Sequence, residues 1–265
     1  MEVLFLILLF ILGACFGSFL CCQARRLHHD LKKGGKPLGS RSVCLHCHYQ
    51  LKWYDNIPLF SWLFLRGKCR KCHTEIGAAE ILSELLLALS WLALGTTLNP
   101  LSSDPLAWAT FFATLVLSLP LAFLAIYDGL YGELPVRYLT ISVLCAIIVL
   151  ALKEWALFAS SALSPELIWK PLLSVLILGG LYLLLYGLSR GKWVGDGDWL
   201  LGLALGLALY DPWLALITLF VANFLACLVA LPRLKKTKKI YLGPFMVLAF
   251  IIVTIFANFL MNLIS

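Results

Sequence analysis

Residues 107–127 read AWATFFATLVLSLPLAFLAIY without one charged side chain, and the run stops at Asp128, where Gly129-Leu130-Tyr131-Gly132-Glu133-Leu134-Pro135 turns the chain. About 20 apolar residues cross the roughly 30 Å hydrocarbon core of a bilayer, so this stretch predicts a spanning helix that carries a carboxylate at its end. The same ruler, moved outward, marks seven more spans at 3–22, 81–97, 138–152, 171–189, 199–210, 213–231 and 241–263. Two of them, 138–152 and 199–210, are short; they are expected to tilt little or to end in turns buried in protein at membrane depth. Composition agrees, since 62% of the 265 residues are hydrophobic and 13% charged, against about 45–50% and about 25% in soluble domains. A soluble globule, a disordered chain and a collagen-like fibre are excluded. The fold class is an all-α polytopic membrane protein of about eight transmembrane helices.

Eleven of the 21 Lys and Arg residues lie between Arg25 and Lys71, so the net charge of +7 belongs mainly to one loop. That pattern marks a cytoplasmic loop and not a nucleic-acid surface. Alternation then places Arg137, Arg190, Lys192 and the cluster Arg233, Lys235, Lys236, Lys238, Lys239 inside, and Lys153 and Lys170 in outside loops. Eight spans satisfy this alternation and seven do not; both termini are expected outside, and the 233–239 cluster against anionic inner-leaflet lipid. Leu12-Gly13-Ala14-Cys15 loosely resembles a lipoprotein cleavage box, but Met1-Glu2 offers no basic region ahead of it, so the first span is read as a permanent anchor.

Four of the nine cysteines form a pattern: Cys44-x-x-Cys47, then Cys69-x-x-Cys72. Paired knuckles at this separation can bring four thiolates round one tetrahedral Zn²⁺. Disulfides are disfavoured in a reducing cytoplasm, and no thioredoxin-like pattern surrounds either pair. His46, His48 and His73 stand beside the knuckles as substitute ligands or outer partners. Cys15, Cys21, Cys22, Cys145 and Cys227 are read as small apolar filler inside spans. The zinc is expected to be structural, one per chain, because a loop of this size has too little core to fold alone.

Carboxylates in apolar spans are costly and are functional candidates by default. By the orientation above, Asp128 ends the third span and Asp198, in Gly195-Asp196-Gly197-Asp198, heads the sixth, both at the cytoplasmic face. Two carboxylates in one low-dielectric site cannot both ionise, so one holds a proton. The anion can then activate water while its neighbour polarises a scissile carbonyl. Gly195 and Gly197 would let the helices approach. Asp196 competes with Asp198 for the role, Glu133 and Glu80 rank lower, and Glu84, one turn into the second span, is expected to join either the zinc loop or the carboxylate site. The alternative reading makes Asp198 a helix cap and Asp128 a helix end.

With these residues in place, the chain resembles the bacterial type IV prepilin peptidases along nearly its whole length. The resemblance is carried by Gly17-Ser18-Phe19-Leu20 and Arg26-Leu27, then by Leu51-Lys52-Trp53-Tyr54-Asp55-Asn56-Ile57-Pro58 and Leu65-Arg66-Gly67-Lys68-Cys69 between the knuckles. It continues at Glu84-Leu85-Leu86, Asp128 with Leu134-Pro135, Gly195-x-Gly197-Asp198, Ala204-Leu205-Gly206 and Gly243-Pro244-Phe245. It implies an aspartic endopeptidase of the bacterial inner membrane with Asp128 and Asp198 as catalytic pair and Gly195, Gly197, Glu84, Pro135 and Pro244 supporting them. Such enzymes remove a short basic leader from type IV prepilins or type II secretion pseudopilins, after a Gly and before a hydrophobic helix. Many then N-methylate the new N-terminus with S-adenosylmethionine, an activity associated with the N-terminal cytoplasmic region. The corresponding division is 1–22 as first helix, 23–80 as zinc loop and 81–265 as peptidase core.

The chain departs from the family pattern at Cys21, usually Asn; at Ala79-Glu80-Ile81, often Arg-Tyr-Pro; at Leu200, usually Lys; and at Val136, commonly Asp. None removes a catalytic carboxylate, and they fall mainly in the N-terminal region associated with methylation and near the second Asp. Three other readings compete. A presenilin-like or signal-peptide-peptidase-like protease shares Tyr127-Asp128 and GxGD but leaves the cysteines unexplained. A proton-coupled transporter predicts midplane carboxylates and related halves. A zinc-loop scaffold would make the acidic pair incidental.

Overall fold

The computed structural model describes residues 2–32, 42–44, 46–98, 104–160, 166–192, 194–231 and 241–264, and the Arg233–Lys239 cluster lies outside them. The chain divides into two compact units, Met1–Thr96 and Thr97–Ser265. The first therefore includes the helix that follows the zinc loop, whereas the sequence-based division began the second part at residue 81.

In the first unit, α1 (Glu2–Lys32) and α3 (Ala78–Thr97) flank the cysteine loop, which adds a short helical turn at Trp53–Asn56 and the single-turn α2 (Phe60–Phe64). The two long helices cross antiparallel at very short range. A Cβ built on Gly13 would stand 2.8 Å from Ala88 Cα, and one on Gly17 2.7 Å from Glu84 Cα. No side chain fits there, so the Gly13-x-x-x-Gly17 spacing sets the crossing as small-residue stripes do between membrane helices. Farther along, Gly95 receives the Leu9 side chain.

The second unit comprises α4 (Pro105–Tyr131), α5 (Val136–Ser160), α6 (Glu166–Val175), α7 (Leu181–Ser189), α8 (Asp198–Leu209), α9 (Pro212–Ala230), α10 (Gly243–Ile255) and α11 (Ala257–Ile264), with a π-turn at Leu176–Gly180 joining α6 to α7. Asp104 caps α4 by accepting from Leu106 N, and Asp211 caps α9 by accepting from Trp213 N; each precedes a proline at the first helical position, where its missing N–H is no loss. Six helices of the described chain are long and apolar enough to cross a membrane. The pair α10–α11, bent by 69°, makes a seventh if counted as one span. No strand occurs among the described residues, which bears out the all-α membrane class.

Two expectations about length are resolved by partners. The fourth span is not short, because α5 continues through Lys153 to Ser160. Lys153 is thus not a loop residue: its ammonium donates to Ala208 O at 2.6 Å. The segment heading from Asp198 does remain short, at 12 residues, or about 18 Å at 1.5 Å per residue. Its last carbonyls need partners, and they find them in protein: Ser174 Oγ donates to Gly206 O at 2.8 Å, beside the Lys153 contact. Gly202 and Gly206 seat α8 against the neighbouring backbone, where added Cβ atoms would lie 2.6 Å from Leu178 O and 2.8 Å from Val175 Cα. Its own Leu201, Ala204 and Leu205 are fully buried, so α8 is the central helix of this unit.

Candidate active site and metal centre

The C-terminal turn of α4 brings Asp128 into the interior, 5% exposed, and α8 begins with Asp198, 8% exposed. Each carboxylate is held by the backbone N–H of a glycine. Gly243, at the N-terminus of α10, donates to Asp128 Oδ2 at 3.0 Å. A Cβ there would lie 2.7 Å from the same oxygen. Gly195 donates to Asp198 Oδ2 at 2.9 Å, and a Cβ on Gly197 would stand 2.7 Å from Leu134 Cβ. The turn carrying Leu134-Pro135 therefore rests directly on the GxGD turn. Pro135 O accepts from Leu139 N at 3.2 Å and starts α5. Gly132, at φ +71, ends α4 in the left-handed region, and its N–H returns to Asp128 O at 2.8 Å. Asp128 and Asp198 are close enough for their charges to act on one another, whereas Asp196 and Glu133 are exposed.

In the first unit the four cysteine sulfurs lie within 4.8 Å of one another. Cys44 Sγ and Cys72 Sγ are 3.8 Å apart, and Cys47 Sγ and Cys69 Sγ 4.0 Å. A Zn–S bond of about 2.3 Å implies tetrahedral edges of about 3.8 Å, so the donor set fits that ion. The two knuckles are copies of one device. In each, the first cysteine accepts from the histidine that follows the second: His48 N to Cys44 O at 2.9 Å, and His73 N to Cys69 O at 3.0 Å. Both histidines take left-handed backbone, at φ 54 and 56, and each knuckle closes with an isolated bridge, Val43 to Gln50 and Lys68 to Glu75. The histidines thus serve through their backbone, and the cluster consists of the four sulfurs. The Thr74 hydroxyl, 3.2 Å from Cys72 Sγ, draws that thiol down to about 5. Arg70 ties the second knuckle to the rest of the loop, donating to the buried Asp55 Oδ1 at 2.7 Å and covering the Tyr54 ring.

Glu84 belongs to the zinc-loop side of the two expectations held for it: its Oε2 accepts from Leu59 N at 2.6 Å. A cavity of about 300 Å³ in this unit is lined by Ser18, Arg25, Asp55, Trp62, Glu80 and Glu84 among others. Arg25 and Glu80 pair at its wall at 2.6 Å, while Glu80 Oε2 and the Trp62 indole N–H are buried with no partner among the described residues. Sequence reasoning missed three things here: the Gly243 amide as anchor of Asp128, the Lys153 and Ser174 contacts that end α8, and this cavity. The Gly-Pro pair at 243–244 signals a helix start, but nothing local links it to a residue 115 positions away.

The comparisons with known proteins converge. A family model described as the bacterial peptidase A24 N-terminal domain matches residues 11–98. A prepilin leader peptidase/N-methyltransferase of Dichelobacter nodosus is 34% identical over 209 residues, covering 78% of this chain and 68% of that protein. Namesakes from Myxococcus xanthus and Aeromonas hydrophila are 43% identical over 90 residues and 45% over 76. Those two alignments cover 34% and 29% of this chain but only 26% and 24% of the relatives' lengths. No solved structure matches.

Proposed function

The chain belongs to the prepilin leader peptidase/N-methyltransferase family, and on that premise we propose that it is a membrane aspartic endopeptidase which removes the leader of a prepilin or pseudopilin at the cytoplasmic face of the bacterial inner membrane. The observation that carries this reading is the pair Asp128 and Asp198, drawn from two helices far apart in sequence, both buried and each held through Oδ2 by a glycine N–H. With Oδ2 of each committed to orientation, Oδ1 of each is assigned to the chemistry. The pair holds one proton between its members. The ionised carboxylate takes a proton from water as the oxygen attacks the carbonyl carbon, and the protonated one gives its proton to the carbonyl oxygen. The tetrahedral diol then collapses, the C–N bond breaks, and the leaving amine takes up a proton. A buried site built on fixed backbone dipoles favours this charge movement because nothing has to reorganise.

The four cysteines hold zinc, whose contribution is folding energy for a loop with little core of its own. Methyl transfer to the freed N-terminal amine is assigned to the first unit. S-adenosylmethionine supplies a methyl group on a sulfonium cation, and the cavity there offers polar groups to such a ligand: the second oxygen of the Arg25-paired Glu80 and the Trp62 N–H, neither partnered among the described residues. Arg25 and Glu80 orient one another at the wall, and Glu84 secures the loop segment at Leu59.

The test is cleavage of a prepilin by the full chain in lipid, read by mass spectrometry with and without S-adenosylmethionine. Loss of the leader in wild type, and its retention with folded Asp128→Asn and with folded Asp198→Asn, is the expected result. Full cleavage by either variant refutes the pair, and a product without added methyl mass refutes the second activity.

A further inference from the structure

The cysteine loop carries an apolar surface that neither the carboxylate site nor the metal site uses. In α2, Phe60, Leu63 and Phe64 are 61%, 58% and 84% exposed, and their i, i+3, i+4 spacing puts them on one face. Trp53, 78% exposed, and Ile57 add to it from the preceding turn. So much bare aromatic and aliphatic surface outside a spanning segment marks an interaction site.

A hydrogen bond sets its height. Leu59, the residue before α2, donates its N–H to Glu84 at 2.6 Å, and Glu84 stands in the second turn of α3, six residues beyond Ala78. At 1.5 Å per residue that is about 9 Å along the helix. Ala78–Thr97 is itself a candidate membrane span, so this bond ties the start of α2 to the first turns of a membrane-crossing helix. Leu82, Leu85, Leu86 and Leu89 of α3 are exposed as well. The charge pattern matches one occupant: Lys52, Arg66, Lys68 and Lys71 are exposed around the segment, while its acid, Asp55, is buried against Arg70.

We infer that residues 53–64 form an interfacial anchor, with the aromatic face of α2 sunk among the headgroups of the leaflet that α3 enters and the basic residues holding anionic lipid. An amphipathic face with aromatic anchors and a basic rim is the chemistry of a segment lying in the plane of the interface. The zinc module then lies flat on the membrane, where an N-terminal segment emerging from the bilayer can reach it.

The test uses the full chain with zinc bound, in nanodiscs of equal parts phosphatidylcholine and phosphatidylglycerol, with the photoreactive residue p-benzoylphenylalanine in place of Phe64 and, separately, of Leu63. Zinc content of one per chain shows that each variant is folded. Irradiation is expected to add the mass of one phospholipid to the peptide spanning 60–66, with the yield reduced at least threefold in discs of phosphatidylcholine alone. An unmodified peptide at both positions, or cross-linking to a second copy of the chain in place of lipid, overturns the anchor. Equal yield in both lipid mixtures overturns the role given to the basic residues.

Discussion

Replacing Gly243 by Ala tests whether the α10 N-terminus positions Asp128. The added methyl would lie 2.7 Å from Asp128 Oδ2 and 3.3 Å from both its Cβ and Cγ. Real carbon–oxygen contacts need a further half ångström or so, so the carboxylate must swing away from the Gly243 N–H that now holds it at 3.0 Å. A hydrogen bond to a charged group contributes about 1.5–3 kcal/mol, which is roughly 10- to 150-fold in rate if the interaction is needed at the transition state. Displacement of a reacting group by 1 Å alone costs up to about 100-fold. We therefore expect prepilin cleavage by Gly243→Ala to fall about 10- to 100-fold, mainly in kcat, while the helix itself tolerates Ala well. Gly129→Ala is the matched control, because its Cβ would meet only Pro244 Cγ at an ordinary 3.5 Å. Initial rates are measured on a purified prepilin in proteoliposomes, with thermal melting as the check on folding. Cleavage by Gly243→Ala within threefold of wild type would refute the reasoning, as would an equal loss in Gly129→Ala.

Further outcomes follow from other contacts. Lys153→Met leaves the Ala208 carbonyl without its donor and is expected to lower stability by about 1–3 kcal/mol, read as a depressed midpoint in a thermal melt in detergent. Gly202→Val drives a side chain into the Leu178 carbonyl; overpacking of this kind costs about 1–3 kcal/mol, visible as loss of monodisperse protein on heating. One zinc per chain is expected by metal analysis, falling to none when Cys44 and Cys69 are both changed to Ser. Zinc should also leave on acidification. Each sulfur must be a thiolate to hold the metal, so protons compete with zinc for the four cysteines as pH falls. A zinc affinity that does not weaken as pH falls would contradict a thiolate site.

The membrane class, the long spans and the cysteine quartet were legible in the sequence because each rests on local information, and the same information marked the two aspartates as candidates. A helix that must satisfy its backbone without water declares itself by length and hydropathy, and a CxxC pair fixes its ligand spacing within one turn. The wrong end assigned to the fourth span shows where that information stops: Lys153 reads as a loop residue until its partner, the Ala208 carbonyl 55 positions away, is known. Only tertiary structure could choose between the zinc loop and the carboxylate site for Glu84, separate buried Asp198 from exposed Asp196, or bring the Gly243 amide to Asp128. Those choices depend on which backbone groups meet when helices pack at glycines such as Gly13, Gly17, Gly202 and Gly206, and a glycine in sequence does not say what approaches it. What the chain determined by itself was therefore which chemical groups are carried into the membrane and at which helix ends. What folding decided was their partners, since hydrogen bonds between distant elements are set by close packing in three dimensions and leave no periodic trace along the chain.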